Sequence, residues 1–213
     1  MAKPLIQLAL DSLDFEQTLH LASLAADYVD IIEVGTPCLK VNGIKLVKEL
    51  QRTYPTKKIF TDLKTMDAGA YEAKPFYQAG SNICTVLGTA DLATIKGVIE
   101  AANAYGKWAQ VDLINVADKK KRAQEAAALG AHIIGIHTGI DQQIAGQTPF
   151  ADLADLVSLN LNVKISVAGG INLNTAQQVA RSGASIIVVG GAITGAACPA
   201  TAAEKIRQLV HSA

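Results

Sequence analysis

The chain has 213 residues, half of them apolar, with 19 Lys and Arg against 19 Asp and Glu. That suits one domain spanning residues 1–213 with a sizeable core, and a balanced charge without a long basic run or aromatic–basic interleaving gives no basis for a nucleic-acid partner. No apolar run approaches the ~18 residues of a membrane span, and Met1-Ala2-Lys3-Pro4 leads toward a first strand without a signal-peptide pattern, so a cytoplasmic protein with no membrane partner is expected.

Short apolar runs predict strands over residues 5–10, 29–34, 58–63, 82–87, 107–113, 132–136, 163–167 and 185–189. Most are continuously apolar, as in parallel strands buried on both faces. Between them, amphipathic stretches predict helices over 14–26, 43–54, 91–104, 118–129, 174–182 and 200–210, with Asp14, Asp118 and Asn174 as N-caps. Eight strands alternating with helices in this length predict an α/β fold, a closed single-domain (β/α)8 TIM barrel. A doubly wound open sheet is the alternative, but no Gly-rich fingerprint follows the first strand. The segments beginning Gly80-Ser81, Gly130-Ala131 and Gly183-Ala184 repeat one helix–Gly–small–x–apolar–apolar form, each Gly expected to end a helix in the left-handed conformation. Residues 139–149 form the longest region without a periodic pattern and read as an active-site loop. The basic cluster Lys119-Lys120-Lys121-Arg122 reads as a solvated helix start. Cys38, Cys84 and Cys198 are few, odd in number and without a CxxC, so they read as free thiols rather than as a disulfide framework or zinc site.

In a (β/α)8 barrel the site lies at the C-terminal ends of the strands, and here those ends are acidic. Asp11 follows the first strand, Glu33 lies in the second, Asp62 ends the third and Asp112 lies near the end of the fifth. The third strand runs into Asp62-Leu63-Lys64-Thr65-Met66-Asp67, where strand alternation puts Asp62 and Lys64 on one side and leaves Asp67 in the following loop. Carboxylates converging on one mouth repel one another unless a cation offsets them. A hard divalent ion with oxygen ligands would do so, with Glu33 and Asp62 on neighbouring strands as its ligands. His137 ends the sixth strand beside Gly139 and the long loop, the placement of a general acid or base. Gly169-Gly170 and Gly190-Gly191 follow the seventh and eighth strands, where such barrels commonly bind phosphate on backbone N–H groups. These residues imply a metal-dependent enzyme acting on a small phosphorylated substrate through an enolate: aldol chemistry, isomerisation, epimerisation or decarboxylation. A Schiff base on Lys64 is disfavoured, because flanking acids raise the pKa of the amine.

The stretch DLKTMDAG at residues 62–69 matches the Asp-x-Lys-x-x-Asp motif of the orotidine 5′-monophosphate decarboxylase superfamily. With VDIIEVGTP at 29–37, TVLG at 85–88, VDLI at 111–114, HTGID at 137–141, SVAGG at 166–170 and GGAI at 190–193, the chain resembles the 3-hexulose-6-phosphate synthase family within it. The resemblance implies a reversible, Mg²⁺-dependent aldol reaction, with Mn²⁺ as a substitute, between D-ribulose 5-phosphate and formaldehyde. The product would be D-arabino-hex-3-ulose 6-phosphate, formed through a 1,2-enediolate in the ribulose monophosphate pathway. It implies that Glu33 and Asp62 hold the metal and that Lys64 assists at the enediolate oxygens. His137 would move protons, and Asp67 would reach the site of a partner subunit in a homodimer. Asp11 and Asp112 would line the sugar site, and Gly170, Gly190 and Gly191 would hold the phosphate.

The sibling 3-keto-L-gulonate 6-phosphate decarboxylases carry Arg where this chain has Ile140 and Ala192, and Glu where it has Asp112. Those three positions favour the synthase. A non-catalytic phosphosugar-binding barrel could keep both glycine pairs, but it would not need the intact acid–lysine cluster.

Overall fold

The apolar runs become eight parallel strands closed into one barrel in the order β1 to β8. The computed structural model describes residues 3–213, so Met1 and Ala2, the first half of the N-terminal segment considered above, lie outside the described residues. The strands are β1 (Leu5–Leu10), β2 (Ile31–Val34), β3 (Lys58–Thr65), β4 (Ile83–Leu87), β5 (Trp108–Asp112), β6 (Ile133–His137), β7 (Lys164–Ala168) and β8 (Ile186–Val189). The helices are α1 (Phe15–Ala25), α2 (Thr36–Thr53), α3 (Gly69–Gln78), α4 (Leu92–Ala104), α5 (Lys119–Ala128), α6 (Ile140–Ile144), α7 (Phe150–Ser158), α8 (Ala176–Arg181), α9 (Gly191–Thr194) and α10 (Pro199–His211).

Alternation along each strand sorts the side chains into two cores. Outward residues such as Leu8, Ile32, Ile59 and Val111 pack beneath the helices against Val47, Leu50, Ile95 and Val98. Inward residues Ile31, Phe60, Ile83, Ile133 and Ile186 form a separate ring that fills the lower half of the barrel, with Leu5 and Trp108 against it. The ammonium groups of Lys58 and Lys164 lie 4.6 and 5.5 Å from the centre of the Trp108 ring. The barrel is therefore solid at its lower end, and a ligand can enter only at the upper one.

Local chemistry explains most element boundaries. Asp14 and Asp118 cap α1 and α5 by accepting the backbone N–H of Gln17 at 2.7 Å and of Lys121 at 3.0 Å. Asn174 is not a cap: α8 begins after Thr175, and Asn174 donates its N–H to the Asn172 side chain in the turn before it. Gly80, Gly130 and Gly183 all take positive φ at the ends of helices, as the repeat predicted. The basic run Lys119-Lys120 starts α5, its ammonium groups 3.2 and 3.0 Å from Asp152 and Asp155 of α7.

Several stretches depart from the sequence reading, among them α7 and α9, which fall outside the stretches read as helical. Helix α2 begins at Thr36, seven residues before the expected start, and Gly43 is a non-helical kink inside it at φ 57° and ψ −153°. Helix α3, interrupted in sequence by Pro75, was not anticipated, because its charged and proline residues blur the 3.6-residue period. The region 139–149 is not wholly irregular, because Ile140–Ile144 forms the short helix α6.

Candidate active site

The upper ends of the strands surround a cavity of about 700 Å³. Asp11, Glu33, Asp62, Lys64, Asp112 and His137 line one side of it; Gly169, Gly170, Gly190 and Gly191 line the other. Asp67 does not line it: the side chain is exposed beyond β3, and its Oδ1 accepts the N–H of Ala68 at 2.7 Å.

Asp62 and Lys64 share the cavity, but not by strand alternation. The ladder between β3 and β4 pairs Thr61 with Cys84 and then Thr65 with Val86, so three residues of β3 face one of β4. This bulge puts Lys64 in the left-handed region at φ 47°, an uncommon place for a residue with a side chain and one found at sites that re-aim a group. Its N–H donates to the Thr85 hydroxyl at 2.9 Å, which in turn donates to Asp62 Oδ1 at 2.8 Å. The bulge is thus tied to the carboxylate it serves. The Lys64 ammonium reaches Asp62 Oδ2 and lies 3.6 Å from Asp112 Oδ2. Thr36, at the start of α2, donates its hydroxyl to Asp62 Oδ2 at 2.8 Å.

Asp112 is almost completely buried and anchors a second chain of groups. Its Oδ1 accepts the Ile114 N–H at 2.9 Å, and its Oδ2 lies 2.9 Å from His137 Nδ1. Burial pushes the Asp112 acid up, but the His137 hydrogen bond and charge, with Lys64 behind them, hold it below the ordinary aspartate value. Burial pushes His137 down; the bond to Asp112 and its charge overcome that and leave the imidazole above its usual pKa. With Nδ1–H donated to an ionised Asp112, Nε2 is the nitrogen free to exchange a proton in the cavity. Burial also lowers Lys64, and the charges of Asp62 and then Asp112 reverse it, so the amine stays protonated. The expectation of a raised lysine holds, with Asp62 and Asp112 as the acids that raise it.

Glu33 is the most perturbed acid of the site. Burial first, then the charge of Asp62, pushes its pKa to about 8, against a hydrogen bond from Gln7 and the more distant Lys64. Asp11, at the rim, is likewise raised by loss of water and then by Asp62. Two oxygen donors held at the cost of mutual repulsion are what a hard cation relieves, and a Mg²⁺ that keeps several waters needs only one or two carboxylates. Glu33 and Asp62 fit that role. Among the described residues, no three His, Cys, Asp or Glu side chains are arranged as a closed metal cage.

The opposite wall offers backbone rather than side chains. Gly169 takes φ 115°, and a Cβ there would lie 2.5 Å from the Thr138 carbonyl oxygen, so only glycine fits. A Cβ on Gly191 would meet nothing within 4 Å, so any side chain there would project into open space at the start of α9. The first N–H groups of a helix have no acceptor within it, which makes this edge able to receive an anion. Lys64 is the only Lys or Arg among the residues lining the cavity.

The sequence reading missed Gln7, Thr36, Thr85, Gln110 and Ser166. Thr85 and Thr36 hold Asp62, and the other three form a polar layer between the apolar ring and the acids. The available signal was a polar residue at an inward position within an otherwise apolar strand, as Gln7 is in Leu5–Leu10, and as Gln110 is in Trp108–Asp112 before the terminal Asp112.

Residues 4–206 match the family described as "Orotidine 5'-phosphate decarboxylase / HUMPS family". The chain belongs to this family. It is 63% identical over 205 residues to the 3-hexulose-6-phosphate synthase of Methylomonas aminofaciens, covering 96% of this chain and 98% of that protein. The solved 3-hexulose-6-phosphate synthase from Salmonella typhimurium superposes with a TM-score of 0.94 at 40% identity, covering 97% and 98% of the two chains. The 3-keto-L-gulonate-6-phosphate decarboxylase from Vibrio cholerae O1 biovar El Tor shares the fold at a TM-score of 0.86 and 28% identity, covering 98% of each chain.

Proposed function

We propose that this chain catalyses the reaction of the 3-hexulose-6-phosphate synthases, the reversible aldol addition of D-ribulose 5-phosphate to formaldehyde. The observation that carries the reading is the 63% identity to the Methylomonas synthase along nearly the full length of both chains. The site supports it with an acid pair for a cation, a protonated lysine, a histidine oriented by a buried carboxylate and a glycine-lined wall.

In this reading Gly170, Gly190 and Gly191 receive the phosphate on backbone donors, with no charged side chain, and Asp11 meets the sugar hydroxyls at the rim. Glu33 and Asp62 hold Mg²⁺, which when bound supplies positive charge beside the substrate carbonyl and its developing oxyanion. His137 Nε2 takes the proton from C1 of the sugar phosphate, and the C–H electron pair moves into the 1,2-enediolate. Lys64, kept cationic by Asp62 and Asp112, donates to the enediolate oxygens and serves as a charge rather than as a Schiff-base nucleophile. C1 then attacks the formaldehyde carbon, and the new alkoxide takes back a proton, for which His137 is the placed donor. Asp112 keeps the imidazole in the required tautomer throughout.

The protein acts as a cytoplasmic homodimer in this proposal. Met66 and Tyr71, 54% and 84% exposed, flank Asp67 outside the cavity, which supports a second subunit covering them and receiving Asp67 in its own site. A 3-keto-L-gulonate 6-phosphate decarboxylase is disfavoured because Ile140 and Ala192 leave Lys64 as the sole Lys or Arg among the residues lining the cavity. A binding barrel without catalysis would not need the Asp62–Lys64–Asp112–His137 chain.

The test is formaldehyde consumption with ribulose 5-phosphate, with Mg²⁺ and again with a chelator. Consumption that requires both sugar phosphate and metal is the expected result. No consumption, together with CO₂ release from 3-keto-L-gulonate 6-phosphate, would replace this reading with the decarboxylase.

A further inference from the structure

Gln7 is out of place for barrel packing. It points inward from β1 at a position where its ladder partners are Ile31 on β2 and Val188 on β8, both apolar, and it is 1% exposed. A buried amide carries a desolvation cost unless both ends are paired. Only one end is: Nε2 donates to Glu33 Oε2 at 2.7 Å, while Oε1 finds no partner among the described residues. Gln7 is therefore not part of a closed structural network, and its one bond is to Glu33. The two cation-ligand candidates also differ in how they are held. Asp62 receives the hydroxyls of Thr36 and Thr85 and the ammonium of Lys64, whereas Gln7 supplies the one side-chain hydrogen bond that Glu33 receives among the described residues.

We propose that Gln7 is a positioning residue for the cation site: by holding Oε2 of Glu33 from below, it fixes the carboxylate so that its other oxygen is presented to a divalent ion. This rests on the reading of Glu33 as a cation ligand. A partner that orients a ligating group commonly controls metal affinity by about 10- to 100-fold.

The experiment is a Mn²⁺ titration of the metal-free protein followed by electron paramagnetic resonance, without sugar phosphate, so that turnover plays no part. Gln7→Met keeps the length of the side chain and removes the donor; its Mn²⁺ dissociation constant rises about tenfold or more. Gln110→Met removes another buried amide from the same layer, one that makes no hydrogen bond to Glu33, and leaves the affinity within about twofold. Should Gln7→Met fail to fold, Gln7→Asn keeps the amide but falls short of Glu33, and the same loss is expected. Wild-type affinity in a folded Gln7 variant, or an equal loss in Gln110→Met, overturns the positioning role. Absence of Mn²⁺ binding by the unaltered protein overturns the cation site itself, a separate and recognisable result.

Discussion

The two ends of the barrel interior are built from the same inward-facing strand positions and serve opposite purposes. Below, Ile31, Phe60, Ile83, Ile133 and Ile186 close into a ring that leaves no passage. Above, continuing along the same strands, stand Glu33, Asp62, Asp112 and His137. Ile133 and His137 lie four residues apart on β6, and Phe60 and Asp62 two apart on β3. The lower end lowers the free energy of the fold by removing apolar surface from water. The upper end spends part of that stability on raised acids and on a lysine in the left-handed region. One strand therefore carries stability at its start and reactivity at its finish, and the two can be perturbed separately.

The largest separation is expected from Asp62→Asn. The variant keeps the shape and one oxygen to accept the Thr85 hydroxyl but removes the charge facing Glu33 and Lys64. Turnover falls by about 10²- to 10³-fold, as for loss of a group that stabilises developing charge, while circular dichroism and the melting temperature stay near those of the parent. Near-full activity in Asp62→Asn would remove the basis for assigning the cation to this pair. Ile133→Ala is the converse. Truncating a fully buried aliphatic side chain costs about 2–5 kcal/mol of stability, read by urea denaturation, with kcat and KM of the folded fraction unchanged. A fall in kcat without lost stability would mean that the ring shapes the site directly.

The smallest effect lies within the upper end, at Glu33. Its folded pKa of about 8 stands above the 4.5 of a free glutamate. A raised group contributes stability that is complete below its unfolded value and is lost as pH rises through the folded one, so in this respect the metal-free protein weakens between pH 4.5 and about 8. A cation competes with that proton. At one fixed Mg²⁺ concentration the stabilising effect is therefore larger at about pH 8, where a hundredfold excess over the dissociation constant adds about 2.7 kcal/mol, than at about pH 6, where the proton weakens binding. Differential scanning calorimetry at the two values measures this, and an equal or reversed gain would show that Glu33 is not a ligand.

The lower end was the more legible of the two. Continuous apolar runs predicted all eight strands and the closed barrel, because a strand buried on both faces has no freedom in composition. Acids and glycines at strand ends marked Asp11, Glu33, Asp62, Asp112, His137 and the glycine wall for the same cavity. What escaped were features set by tertiary context. Alternation alone put Asp62 and Lys64 together, yet a bulge brings them there, and no residue type between Asp62 and Thr65 announces a left-handed lysine. Gly43 reads as a helix start in sequence, because a kink inside a helix and a break before one look alike there. Thr36 at the start of α2 and Thr85 in the middle of β4 are ordinary threonines until folding puts Asp62 between them. Asp67, prominent in the motif, stays outside the cavity.

Trp108 is the sole tryptophan of the chain. It stands at the start of β5, against the lower ring, with two ammonium groups over its indole. Its ultraviolet emission is therefore a built-in optical reporter on one end of the barrel. Loosening of the lower ring changes that signal, while events among the carboxylates at the far end of the same strand, which Trp108 does not line, leave it unchanged. An emission trace and an assay trace from the same cuvette separate the two ends without a label.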